Sequence, residues 1–353
     1  MIEIDQYRGD AEHLAEFVSL VWRESYAGLM TCPVWSAEYM RWHFPLEHPE
    51  TRRRMLAAYD GDQLAGVLLG LPLDYRTPEH RIPGSLWSWL SIHPAYRGRH
   101  LAVRLDQARV ELMKSLGSRL VVSYRFFGSR HSQAERPGHS LNRNKLFLRK
   151  LRFWSRVLDP VRFHRWDLKR FEGFLGLLSY PVAGIPDPGQ WGAAIRPFRP
   201  SDLPMCLALL QRMTTNMSLA IDWSNATLQR QLLGSPLSRT LVYEEQGAVR
   251  GLVNFHLMPF LGRGIVEQIG IFDLFALEEL PPGGRVALVN RALRELRDAG
   301  AILALTPSLG QIPLSTLLKT RWSPTRPETH LVLQWTGEPV PVKPDLPLQL
   351  LWR

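Results

Sequence analysis

Cysteine is almost absent: Cys32 and Cys206 are the only two in 353 residues. Two thiols cannot build a disulfide framework or a four-cysteine zinc site. Long apolar runs are also missing. The longest, around Gly173 to Ile185, is interrupted by Pro181 and falls short of the about 20 apolar residues that span a bilayer. The first residues, MIEIDQYRGD, open with acids and carry no apolar core, so no secretory signal is expected there. Glycine (26) and proline (27) follow no period, which excludes collagen-like chains. None of the histidines from His13 to His164 sits in an HExxH or CxxC context, and no GxSxG elbow or Walker loop occurs. No metal site is expected.

What is present is ordinary globular material, 45% hydrophobic and 22% charged. Such a chain buries enough apolar surface to offset its ordering entropy, and its length suggests two domains. A soluble, cytoplasmic protein is the expectation. The formal net charge is +10, and its distribution is uneven. Between Arg125 and Arg170 stand thirteen basic residues and three acids, a surplus equal to that of the whole chain. A block of this kind concentrates anions such as a nucleotide cofactor, RNA or an anionic lipid surface; a solvated face is the other reading.

Periodicity predicts a strand over Ile2–Tyr7, helices over Ala11–Trp22 and Trp35–Phe44, and a hairpin around Asp60-Gly61-Asp62. A strand over Ser85–His93, a helix over Leu101–Leu116 and a strand over Arg119–Tyr124 follow, with a basic amphipathic helix expected over Lys145–Asp159. On that helix Phe147, Leu148, Leu151, Trp154 and Leu158 would share one face and Lys145, Arg149, Arg152 and Arg156 another. Turn formers at Gly184-Ile-Pro-Asp-Pro-Gly189 mark a linker. The order strand, helix, hairpin, strand, helix, strand then restarts at Ala194. The chain reads as an internal duplication: an α/β fold of two tandem domains, 1–185 and 190–353, each a mixed, mostly antiparallel sheet flanked by helices.

The most informative stretch is Leu90-Ser-Ile-His-Pro-Ala-Tyr-Arg-Gly-Arg-His-Leu-Ala102. A strand enters a turn and a helix starts at once, so backbone N–H groups at 98–102 would point at an anion. Arg97 and Arg99 add charge beside them, and a pyrophosphate suits such a place. These residues resemble the signature of the GNAT (GCN5-related) N-acyltransferases: an Arg or Gln, two residues, a Gly, one residue, then Gly or Ala, after Val/Ile-x-Pro. Ile92-His93-Pro94 and Arg97 through Ala102 match, except that His100 stands where Gly is usual. A loop that binds through its backbone tolerates this, provided that position 100 needs no positive φ. The resemblance covers the first half and implies that Leu90, Ser91 and Ile92 line the pantetheine arm of an acyl-CoA. Arg97, Gly98, Arg99, His100, Leu101 and Ala102 would hold its pyrophosphate.

In the second half, Pro281-Pro282-Gly283-Gly284-Arg285 stands between strand and helix without the initial Arg or the spacing, so a plain turn is expected. Two further phrases, Leu148-Arg-Lys-Leu-Arg-Phe153 and Leu317-Leu-Lys-Thr-Arg-Trp322, occupy the place where the family usually reads Tyr-x-x-x-Gly-Phe. The Tyr that protonates the leaving thiolate is absent there. The strand Ser85-Leu-Trp-Ser-Trp-Leu-Ser91 also lacks the Glu that relatives use as a base, and its Trp87 and Trp89 would share one face. Tyr124 is the remaining candidate proton donor. The apolar tail Pro344–Arg353 is expected to dock. In the N-myristoyltransferases, which this layout resembles, a terminal carboxylate is the base, and Arg353 would supply it here.

The resemblance implies transfer of an acetyl or longer acyl group from acetyl-CoA or another acyl-CoA to a small-molecule or peptide amine. Two rivals remain open: a non-catalytic acyl-CoA-binding or scaffold protein, and an acyl or aminoacyl transferase associated with RNA or an anionic lipid surface through residues 125–170.

Overall fold

The computed structural model describes residues 2–126 and 145–352. Its first half runs β1 (Ile2–Gln6), α1 (Ala11–Tyr26), α2 (Ala37–His43), β2 (Met55–Asp60), β3 (Gln63–Pro72), β4 (Gly84–Ile92), α3 (Leu101–Ser115) and β5 (Leu120–Phe126). After residues 127–144 come β6 (Lys145–Leu151), β7 (Phe153–Val157), α4 (Pro160–Trp166) and α5 (Arg170–Leu178). The second half runs β8 (Ile195–Pro197), α6 (Leu203–Thr214), β9 (Leu219–Ile221), α7 (Asn225–Leu233), β10 (Ser238–Glu245), β11 (Ala248–Leu261) and β12 (Val266–Ala276). It ends with α8 (Pro282–Asp298), β13 (Ala301–Pro307), α9 (Leu314–Lys319), β14 (Thr329–Trp335) and β15 (Leu348–Gln349).

Local chemistry explains most of these elements. Asp10 caps α1 by accepting from the His13 N–H at 2.8 Å, and Ser36 caps α2 by accepting from Tyr39 at 3.1 Å. On α1, Leu14, Phe17, Val18 and Val21 are buried at helical spacing. The β2–β3 hairpin turns at Gly61, whose φ of +61° suits glycine.

Two large sheets result. The first has the order β1-β2-β3-β4-β5-β14-β6 and the second β8-β10-β11-β12-β13-β7. In each, one central pair is parallel, β4 with β5 and β12 with β13, and the other pairs are antiparallel. The sheets exchange strands. β14, late in the chain, lies between β5 and β6, while β7 pairs with β13 of the other sheet.

The amphipathic helix expected over Lys145–Asp159 is therefore corrected: those residues form β6 and β7. Its apolar spacing fits either period, and the ladders offered by β14 and β13 decide for strand. Leu148 thus lies on a strand and Leu317 on α9, so the two paired phrases are not equivalent places. One apolar cluster packs α3 against the first sheet, another packs α8 against the second, and the largest lies between the sheets, joining Leu14 and Trp89 to Leu228 and Ile271.

Candidate active site

The parallel pairing of β4 and β5 stops early. It runs from Gly84 opposite Leu120 to Trp87 opposite Ser123. Just beyond, β4 bulges: Ser88 faces Leu69 and Ser91 faces Val67, three steps against two, and Trp89 adopts φ +53°. The strands part there, leaving Ser88–Ile92 on one limb and Tyr124–Phe126 on the other. The bulge also overturns one expectation. Trp87 packs on the α3 side, 5.7 Å beneath the Arg109 guanidinium, whereas Trp89 packs on the opposite side against Trp35 and Phe44. An extra left-handed residue switches the face that simple alternation would keep.

Of the residues singled out beforehand, Leu90 is exposed, Ser91 is buried with its Oγ accepting from Trp22 Nε1 at 3.2 Å, and Ile92 packs against the α3 cluster. A single 3₁₀ turn, Pro94–Tyr96, leads into Arg97. Gly98 and His100 both adopt positive φ, +78° and +57°. The condition set on position 100 is thus not met, yet histidine is among the side chains that enter this region most readily. α3 then starts at Leu101 without a side-chain cap. Among the described residues no backbone hydrogen bond uses the N–H groups of residues 98–102, so a row of donors faces outward at a positive helix end. The flanking cations are held: Arg97 Nη2 donates to Ser25 Oγ at 2.6 Å, and the Arg99 guanidinium lies 5.0 Å over Tyr96. Leu101 is buried beneath this row and Ala102 half-buried.

Tyr124 stands on the parted limb of β5, held from the other side by Leu331 of β14, and packs on the core between the sheets. Tyr75 and Arg149 lie in its electrostatic field. The Arg149 guanidinium, its pKa lowered by burial, donates to Pro344 O at 3.0 Å and Ser308 O at 3.1 Å. The tail docks, as its apolar residues suggest. β15 pairs with β9, Gln349 Oε1 accepts from Trp223 Nε1 at 3.0 Å, and Leu348, Leu350 and Leu351 are buried. Arg353 lies outside the described residues.

The second half gives its corresponding places other uses. Trp191 covers the start of α8, where a Cβ added to Gly283 would lie 2.6 Å from Trp191 Nε1, and Arg285 folds back onto Leu280 O. That helix start offers no anion cradle.

The bulge of β12 is different. Asn254 faces Leu274 and Phe255 faces Phe272, which leaves Asp273 between them. Its Oδ2 lies 2.7 Å from His256 Nδ1 and accepts from Gln231 Nε2 at 3.2 Å. Asn254 continues the network to Gln231, Ser238 and Thr240. The His256 ring meets Trp42, Tyr39 and His43 at centroid distances of 5.3, 5.9 and 6.3 Å, and Tyr39 in turn meets Trp89 at 6.4 Å. A narrow pocket here is lined by Trp42, His43, Trp223, Arg230, Gln231 and Leu351. The sequence reading missed this pair. Its one signal is a lone carboxylate inside the buried apolar run Ile269–Ala276.

Neither cysteine is a nucleophile in waiting. Burial pushes both thiols up, Cys206 to about 12. Among the described residues no group of three or more His, Cys, Asp and Glu side chains is arranged to hold a metal ion. No helix among the described residues is long and apolar enough to cross a membrane.

Residues 9–129 match the family profile described as Acetyltransferase (GNAT) domain. That stretch of the first half is similar to a GNAT domain. Among solved structures, an N-myristoyltransferase of Saccharomyces cerevisiae with bound myristoyl-CoA superposes with a TM-score of 0.76 at 13% identity. The match covers 95% of this chain and 82% of that one. A GCN5-related N-acetyltransferase from Anabaena variabilis gives a TM-score of 0.55 at 14% identity, covering 96% and 73%. No curated protein matches by sequence. At these identities the likeness establishes the fold, and the fold is the two-domain GNAT arrangement.

Proposed function

We propose that this GNAT-fold protein transfers an acyl group from acyl-CoA to an amine. The observation that carries this reading is the parting of β4 and β5 at the Trp89 bulge, beside a helix start with unspent N–H groups at 98–102. The N–H row, with Arg97 and Arg99, would hold the pyrophosphate. Leu90, Ser91 and Ile92 would follow the pantetheine arm, which an unpaired strand limb can hydrogen-bond. The Saccharomyces enzyme binds myristoyl-CoA, which favours trying long as well as short acyl chains, with a peptide or small-molecule amine as acceptor.

In the reaction the amine nitrogen attacks the thioester carbon, the C–S bond breaks, and the ammonium formed must lose a proton. Proximity supplies much of the acceleration. His256, oriented by Asp273 through Nδ1, is the proposed proton acceptor, and Tyr124 is the proposed donor to the leaving thiolate. A base role for Arg353 rests on layout alone, and deletion of Arg353 tests it by turnover at unchanged melting temperature.

The central experiment is titration calorimetry with acetyl-CoA and myristoyl-CoA. Replacing Arg97 and Arg99 together by Ala removes charge-assisted contacts worth about 1.5–3 kcal/mol each, so affinity should fall by at least two orders of magnitude. Undiminished affinity in that variant overturns the site.

A further inference from the structure

Helix α5 presents its bulk outward. Gly173 and Gly176 are buried against α4, and the approach is close: a Cβ on Gly176 would lie 2.4 Å from Phe163 Cδ1. Phe171, Phe174, Leu175 and Leu178 occupy positions i, i+3, i+4 and i+7 and remain 48–68% exposed, with Tyr180 following at 66%. A helix that needs only core packing carries its large apolar residues inside. This one seats glycines inside and leaves an apolar stripe about 10 Å long facing outward.

Exposed cations stand on α4 and at the start of α5. Arg162, Arg165, Lys169 and Arg170 are all exposed. Arg162 pairs with Glu267, and Lys169 with Glu172 and Glu328. Among the described residues no ion pair engages Arg165 or Arg170. Of the acids in this helical hairpin, Asp167 is buried and only Glu172 stands near the stripe.

We propose that the α5 face docks onto the surface of a bilayer containing anionic lipid. Its aromatic and aliphatic side chains would enter the boundary between headgroups and acyl chains, while Arg165 and Arg170 meet lipid phosphates and carboxylates. Apolar burial and electrostatic attraction together anchor what neither holds alone. Charge complementarity selects this occupant, because a protein partner would have to bring its own acids around an apolar centre. The inference does not depend on the acyl-transfer reading.

Vesicle sedimentation of the full chain tests it, with phosphatidylcholine alone and with phosphatidylserine added, at low and high salt. The wild-type chain is expected to sediment with the anionic vesicles and to be released in part by salt. Phe171→Ser with Phe174→Ser and Leu178→Ser should lower that binding at least tenfold while the melting temperature holds. Arg165→Glu with Arg170→Glu, which leaves the helix packing untouched, should abolish the preference for phosphatidylserine. Absence of sedimentation at low salt, or equal sedimentation of the Ser variant, overturns the proposal. So does light scattering that shows a dimer broken by the Ser variant without vesicle binding, since a second copy then covers the stripe.

Discussion

His256 Nδ1 and Asp273 Oδ2 lie 2.7 Å apart in the buried heart of the second half, each on a strand of the same antiparallel pair. A carboxylate there is stabilised by its partners, Gln231 and the imidazole among them. The pair fixes which imidazole nitrogen faces Asp273 and leaves Nε2 for other chemistry.

Asp273→Asn keeps the shape and removes the charge that orients the ring. If His256 takes the proton from the amine, kcat should fall by about 10²–10⁴-fold, with acyl-CoA affinity unchanged. His256→Gln should lower kcat at least as far, again with acyl-CoA affinity unchanged. A fall in melting temperature with kcat preserved would reduce the pair to a structural role.

His100 holds φ +57° at the first step into α3, and a non-glycine residue there carries strain of about 1 kcal/mol. Glycine removes that strain but loses more chain entropy on folding. His100→Gly should therefore be neutral or stabilising by up to about 1 kcal/mol, with acyl-CoA affinity retained because the contacts come from backbone N–H groups. His100→Val, which resists this region, should cost about 1–3 kcal/mol. Urea denaturation beside calorimetry reads both effects.

These cases mark what the sequence could reveal. α1 and the β2–β3 hairpin were legible because their caps, spacing and turn residues lie within a few positions of each other. The turn that leads into α3 was legible for the same reason. β6 was not: its strand form depends on Thr329–Trp335, nearly two hundred residues onward. Nor did Trp89 announce a bulge, since no glycine marks its left-handed backbone. The approach of His256 to Asp273 arises from strand register, which pairs residues across a hairpin in a way composition cannot report.

Lys145 supplies a pH test. Burial first, then the nearby Arg125, lowers its pKa to about 7 despite its contact with Asp106 at 2.8 Å. The Asp106 carboxyl is lowered as well, by Arg109 and Lys145 against its own burial. Asp106 behaves as an ordinary ion-pair partner. Lys145 does not, because three cations share one acid. Between pH 7 and about 10.4 the unfolded chain holds a proton that folded Lys145 has released, so stability rises with pH across that window. Below pH 7 both states are protonated and the penalty is complete. Lys145→Met should remove this dependence, so that the stability of wild type minus variant climbs by on the order of a few kcal/mol from pH 7 to 10. A flat difference in denaturant titrations would show that Lys145 stays charged.

The strand exchange bears on the domain division proposed at 1–185 and 190–353. Residues 1–185 alone retain β5 and β6 but lose β14, which pairs with both, seven residues deep along β5. Residues 190–353 lose β7 and expose the edge of β13. Each fragment would then present unpaired backbone from the middle of a sheet, where missing hydrogen bonds are costly. Neither fragment should show a cooperative thermal transition by itself, and each should aggregate. Co-expressed, the two should assemble into a complex that melts cooperatively and binds acetyl-CoA. A cooperative melt of 1–185 alone would mean that β14 is dispensable to the first sheet, and that the two halves are independent units joined only by their linker.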